Sequence, residues 1–202
     1  MKQRGFSLIE LMVAVGIMTL INIMIFASYP EFSQKMALKR TSEEIALIVR
    51  QAQAYALGIK RTASGGDDYY GFGIHFNKNN SKSLILFTDS GLTPNKIYDA
   101  GDYSVSGCGT AGTECFQEFK IGTGDYVSEL QVCDSGGLCE GIGSGALDIV
   151  YPRASSIATI NNDDTLSYAT ITIKSPRGDA DKNKKLIKIW ISGQISVEDF
   201  KS

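Results

Sequence analysis

The sequence predicts an α+β protein: a long N-terminal helix, membrane-spanning in its first half and amphipathic in its second, packed on an antiparallel β-rich globular head. Three observations carry this. Residues 6–29 form an apolar run whose only charged side chain is Glu10. Residues 45–59 repeat apolar side chains at intervals of three and four. Beyond Gly66 the period of the pattern changes to two.

As a helix, residues 6–29 would be about 36 Å long, enough to cross a hydrocarbon layer roughly 30 Å thick. Lys2 and Arg4 stand just before the run, which orients the N-terminus toward the cytoplasm and everything after Pro30 outward. Glu10 is the anomaly. A carboxylate in the hydrocarbon costs about 2.5–3.5 kcal/mol on the lenient insertion scale, so it calls for a partner. No Lys, Arg or His lies between Phe6 and Tyr29. The partner must come from a neighbouring chain or from a new amino terminus made by cutting the leader away.

After Pro30 the helical rhythm continues through Ile45, Ile48, Val49, Ala52, Tyr55, Ala56 and Ile59, with Lys39, Arg40, Glu43, Glu44, Arg50 and Lys60 mostly on other faces. Thr41-Ser42-Glu43-Glu44 fits a capping box that starts a separate helix, and fits equally an exposed face of a continuous one. Continuity with a bend near Pro30 is the reading adopted, giving an amphipathic helix over 31–61. Gly58 and then Ser64-Gly65-Gly66 mark its exit, where Lys60 and Arg61 suit the C-terminal end of the dipole.

The β-rich region, 66–202, opens with Tyr70, Phe72, Ile74 and Phe76 alternating before the turn Asn77-Lys78-Asn79-Asn80, with 83–88 as hairpin partner. Further strands are predicted at 116–121, 126–133, 146–151, 156–160, 166–174 and 186–192, and a short one at 194–197. About 170 residues beyond the membrane segment suit one exported domain with a real core. Apolar content of 43% and charge content of 21% are ordinary, and a net charge of −2 excludes a surface built wholly for nucleic acid.

Gly5-Phe6-Ser7-Leu8-Ile9-Glu10-Leu11, following a short basic leader, resembles the processing site of type IV prepilins and of the pseudopilins of type II secretion. The resemblance implies a cytoplasmic leader at 1–5, a transmembrane and assembly helix at 6–29, and an exported head at 30–202. It implies cleavage after Gly5 by a membrane prepilin peptidase, which then methylates the amine of Phe6. It also implies pairing of Glu10 with the amine of an adjacent subunit, which supplies the partner the membrane run lacks. Within the superfamily, Leu47-Ile48-Val49-Arg50-Gln51-Ala52-Gln53-Ala54-Tyr55-Ala56, Tyr70-Gly71-Phe72-Gly73, Phe87-Thr88-Asp89 and Ile191-Ser192-Gly193-Gln194-Ile195-Ser196-Val197 are similar to H-type minor pseudopilins and T-type fimbrial minor pilins. The cysteine-bearing region from about 99 to 151 follows neither pattern.

Cys108, Cys115, Cys133 and Cys139 all fall outside the membrane on this topology, where disulfides form. Four cysteines allow three pairings, which sequence leaves open; both local pairs close Gly-rich loops. Zinc is disfavoured because the close C-x₂₋₄-C spacing is missing. His75, the one histidine, lies in a predicted strand and reads as structural. Asp179-Ala180-Asp181-Lys182-Asn183 imitates the start of an EF-hand loop, but Lys184 stands where the loop needs Gly and Trp190 where it needs Glu. It reads as a polar turn, and no cofactor or metal site is expected. Arg177-Gly178-Asp179 after Pro176 is likewise turn chemistry. Lys174, Arg177, Lys182, Lys184, Lys185 and Lys188 gather cations that could touch DNA phosphates, diluted by Asp179 and Asp181 and without an aromatic series among them.

The expected role is therefore a non-enzymatic structural subunit of a type IV pilus or type II secretion pseudopilus, minor rather than major. Its partners would be the prepilin peptidase and methyltransferase, other pilin or pseudopilin subunits, an inner-membrane assembly platform and the lipid bilayer. DNA contact, as in a DNA-uptake minor pilin, is the alternative. Before assembly the chain would be a single-pass cytoplasmic-membrane protein with its head exported, and afterwards part of a cell-surface or periplasmic fibre.

Overall fold

The computed structural model describes residues 7–59, 69–90, 95–99, 108–109, 113–143, 145–176 and 183–200. Two compact units divide the chain, Met1–Ala37 and Leu38–Ser202. Helix α1 (Leu8–Ala54) is continuous and contains Pro30, so the separate-helix alternative at Thr41 does not hold. The helix opens on Ser7, whose carbonyl accepts from the amides of Glu10 (3.0 Å) and Leu11 (3.2 Å). In the first unit its apolar run is long and apolar enough to cross a membrane, and none of that window is buried.

In the second unit α1 passes into a π-helical turn, Tyr55–Ile59. Gly58 ends the helix at φ 96°, a left-handed conformation that a side chain would resist. The expected helical end at 61 lies two residues past this turn, outside the described residues.

The head contains two five-stranded antiparallel sheets. Their strands are β1 (Tyr69–Asn77), β2 (Ser83–Ser90), β3 (Cys115–Lys120), β4 (Tyr126–Asp134), β5 (Cys139–Gly141), β6 (Ala146–Pro152), β7 (Thr159–Ile160), β8 (Leu166–Lys174), β9 (Lys184–Trp190) and β10 (Ile195–Asp199). Sheet 1 has the order β3-β2-β1-β6-β7, and sheet 2 the order β10-β9-β8-β4-β5. Alternation dictates which residues line each inner face. In sheet 1, Phe76 stands between Leu84 and Leu147, and Ile74 between Leu86 and Ile149. In sheet 2, Ile187 opposes Ile171 and Val197, while Ile171 opposes Leu130. These rows and the helical stripe Ile45, Ile48, Val49, Ala52 and Ala56 form one buried cluster.

Sheet 1 also has a covered outer face. Phe87, Tyr98, Cys115 and Val150 form a second, smaller core there. Gly73 makes room for it, since a Cβ at that position would meet the Phe87 ring at 2.5 Å. His75 points into the same layer. Its Nδ1 lies 2.7 Å from Asp148 Oδ1 and its ring packs 4.7 Å from that of Tyr98, so both partners are nearly buried. Buried in the main core, Tyr151 has its hydroxyl pKa driven upward by loss of water.

Three expectations change. The strand predicted at 156–160 contracts to Thr159–Ile160, because backbone groups ahead of it are used elsewhere. The Ser156 carbonyl accepts from Gln53, and the Ala158 amide donates to Ile191. Strand β5 was not predicted; three residues carry no period, and the segment is placed by the Asp134 turn, where Asp134 Oδ1 accepts from the Leu138 amide. Finally, Thr41 and Ser42 are not on an exposed face but are 2% and 0% exposed. The Thr41 hydroxyl donates to Asp125 Oδ2 (2.7 Å), which also accepts from Thr123 (2.7 Å), and Ser42 donates to the Lys39 carbonyl.

Asp125 is thus a buried carboxylate fastening α1 to the β3–β4 turn. Asp125→Ala should cost about 2–3 kcal/mol, since bonds to charged groups are worth roughly 1.5–3 kcal/mol each and Thr41 can still bond Thr123. Calorimetry of the detergent-solubilised chain should then show a melting midpoint lower by about 5–10 °C. An unchanged midpoint would mean that the helix is held by apolar packing alone.

Candidate functional site

Two regions carry the residues that sequence singled out: the start of α1 and the outer face of sheet 2. Gly5 and Phe6 lie outside the described residues. Glu10 is exposed in the first turn of α1, where unpaired peptide N–H groups favour a negative charge. Two other polar side chains of this run close on their own helix. Thr19 Oγ1 donates to the carbonyls of Val15 (3.0 Å) and Gly16 (2.8 Å), and Asn22 Nδ2 donates to that of Met18 (2.8 Å). Such local bonds make Thr and Asn tolerable in hydrocarbon. A carboxylate can only accept, and helix carbonyls offer it no donor, so Glu10 differs from its neighbours in kind.

Among the described cations near the end of the chain, Lys174, Lys184 and Lys188 share the outer face of sheet 2 and Lys185 does not. Arg177 and Lys182 lie outside the described residues, as do Asp179 and Asp181. Lys174 and Lys184 stand opposite each other across β8 and β9. Lys185 falls on the inward side of the same strand and pairs with Asp199, whose pKa is lowered by the lysine's hydrogen bond and then by its charge. Lys184 lies 4.9 Å over the Phe200 ring. Lys188 lies over two rings at once, 3.8 Å from the centre of Tyr168 and 4.8 Å from that of Trp190.

That last arrangement corrects the expectation that no aromatics accompany the lysines. Tyr168 pairs directly with Trp190 in the β8–β9 register, their ring centres 6.3 Å apart, and both are half-buried. Beside them Thr170 donates to Gln131, and Gln131 donates to Glu129. The alternation Tyr168, Thr170, Thr172 against Ala169, Ile171, Ile173 was visible in sequence. The register that brings Trp190 to Tyr168 was not, because a loop of nine residues, 175–183, separates the strands.

Cys108 is bonded to Cys115 and Cys133 to Cys139. The first bond ties the 108–109 turn to β3, where the Gly109 amide also donates to the Cys115 carbonyl (2.8 Å). The second joins directly opposed residues of β4 and β5.

Residues 1–26 match the prokaryotic N-terminal methylation motif. Among solved structures, the type IV minor pilin FimU of Pseudomonas aeruginosa PAO1 is similar at 14% identity, with 83% of this chain and 92% of that chain covered and a TM-score of 0.37. No curated protein sequence matches.

Proposed function

We propose that this chain, whose methylation motif and apolar N-terminal helix mark it as a membrane-anchored, type IV pilin-like precursor, is a minor subunit of a type IV pilus or type II secretion pseudopilus. The prepilin peptidase would cut after Gly5 and methylate Phe6. Other pilin or pseudopilin subunits and an inner-membrane assembly platform would then take the helix from the bilayer into a fibre.

The observation that carries this reading is the Glu10 carboxylate, exposed one turn into the apolar run and within the matched residues 1–26. A new α-amino group at Phe6, with a reference pKa of about 7.7–8.0, is a cation at neutral pH and stands free of the hydrocarbon cost only beside an anion. Pairing with a neighbour's Glu10 offsets both penalties together. Nothing in such a role requires a reaction at the head, so the subunit is read as non-enzymatic. A major, abundant subunit would use the same N-terminal chemistry, and fibre stoichiometry separates the two.

The N-terminal peptide of the chain from its native host should begin at N-methyl-Phe6 by mass spectrometry. A chain still starting at Met1, or starting beyond Ala27, would sink the reading.

Glu10→Val should leave membrane insertion and the melting of the head unchanged while lowering incorporation into fibres by about tenfold or more, the factor that corresponds to losing at least 1.4 kcal/mol of pairing. Fibres with normal content of the variant would remove the carboxylate from assembly.

A DNA-receptor role is the second reading, favoured by Lys188 lying between Tyr168 and Trp190, a cation beside two stackable rings. The scaffold reading is preferred because Lys185 is engaged by Asp199 and Gln131 and Thr170 satisfy each other. The full chain in detergent should accordingly show no micromolar DNA binding at physiological salt. Such binding, with a salt slope reduced in the Lys184→Gln, Lys188→Gln double variant, would reverse that preference.

A further inference from the structure

We propose that Asp89 and Asp99 act as an acid-operated latch on the outer face of sheet 1, holding residues 95–99 more tightly when Asp89 takes up a proton. Asp89 sits near the end of β2 and is 1% exposed. Its Oδ2 accepts from the Lys96 amide at 3.0 Å, and its Oδ1 is buried with no hydrogen-bond partner among the described residues. Lys96 has φ 59°, so that one bond helps hold a non-glycine residue in a left-handed conformation.

The 95–99 segment is fastened at several points. Asn95 Nδ2 donates to Asp99 Oδ2 (2.8 Å), and the Asp99 amide donates to Glu114 Oε2 (2.8 Å). The Tyr98 ring packs on those of Phe87 (5.2 Å) and His75 (4.7 Å). The charges facing Asp89 come from this segment: Lys96, whose ammonium lies 5.9 Å over Tyr70, attracts, and Asp99 repels. Glu114 holds Asp99 from the approach to β3. Gly71 is the β1 residue opposite Asp89 and carries no charge, while His75 and Asp148 farther along are bonded to each other.

Two effects oppose each other at Asp89. The backbone amides of Lys96 and Asn95 and the Lys96 charge favour the carboxylate, whereas burial, together with Asp99, favours the acid. Burial is the largest influence, and the pKa is raised above 3.8. Because the closed form is the one with the raised pKa, closure gains as pH falls through that raised value and levels off near 3.8, where the open form also protonates. Protonation weakens the Lys96 bond without abolishing it, since a neutral acid still accepts.

The test is amide hydrogen exchange of the full chain in detergent micelles, read by mass spectrometry on a peptide containing Lys96 and Ile97 and corrected for the pH dependence of unprotected exchange. Between about pH 7 and about pH 4.5, protection should rise. Asp89→Asn should be flat over the same range. Asp99→Asn, which alters an exposed residue and leaves Asp89 in place, should show a smaller rise than wild type. A flat or falling wild-type response overturns the latch. So does a full-sized rise in Asp89→Asn or, should that variant fail to fold, in Asp99→Asn.

Discussion

One stripe of α1 is required by everything in the head. The inner faces of both sheets are apolar, and the helical residues Leu38, Ile45, Ile48 and Val49 are at most 6% exposed among them. Burying four such side chains contributes about 6–12 kcal/mol gross. That is as large as the whole net stability of an ordinary domain, about 5–15 kcal/mol. The stripe therefore closes the main core that the two sheets share, and the head cannot be separated from the outer half of its helix without exposing both. The same helix must meet a second solvent in its first unit, where the exposed run from Leu8 to Phe26 faces outward on every side. One element thus obeys two rules: apolar all round where it leaves the head, apolar on one side where it enters.

The two sheets differ in how their outer faces are treated. Sheet 1 gains a second layer in which Tyr98 packs on Phe87, clustered with Cys115 and Val150. That layer needs little apolar area of its own because the Cys108–Cys115 bond shortens the chain that must be ordered. Sheet 2 keeps a polar outer face, with Thr170, Gln131 and Lys188 in one row and Tyr168 and Trp190 in the next. Lys188 over the two rings lets large aromatic side chains stay half-exposed while keeping their faces occupied. Among the described residues, the outer face of sheet 1 thus carries an apolar layer and that of sheet 2 a polar one.

Among the described residues, the buried carboxylates Asp89, Asp125 and Asp148 are tied to junctions. Asp125 receives two hydroxyls where α1 meets the β3–β4 turn, and Asp148 receives His75 where β1 meets β6. Each sits where two elements distant in sequence must keep one register, and each has donors enough to offset its lost water. Of these three carboxylates Asp89 is the one with a fully buried oxygen that no hydrogen bond reaches among the described residues, which makes the contact between β2 and residues 95–99 the least satisfied of these junctions.

The sequence by itself determined the elements with strong periods and the N-terminal chemistry. Residues 166–174 were legible as β8 because nine consecutive residues alternate, and α1 because an apolar run at 6–29 is followed by three- and four-residue apolar spacing over 45–59. Glu10 stood out because a charge in hydrocarbon is too costly to be incidental. Tertiary structure decided what depends on partners far along the chain. Thr41 reads as a cap until Asp125, 84 residues away, is brought beneath it. Strand β7 keeps only Thr159 and Ile160 because Gln53 and Ile191 claim the backbone before it. The cations at 184, 185 and 188 look like one patch, but a side-chain period of two sends Lys185 to the inner side with Asp199 and leaves Lys188 to meet Tyr168 and Trp190. Local pattern fixes which face a residue occupies within its own element, whereas register across a long loop fixes whom it meets there, and that register is set by the fit of two apolar faces to one helix.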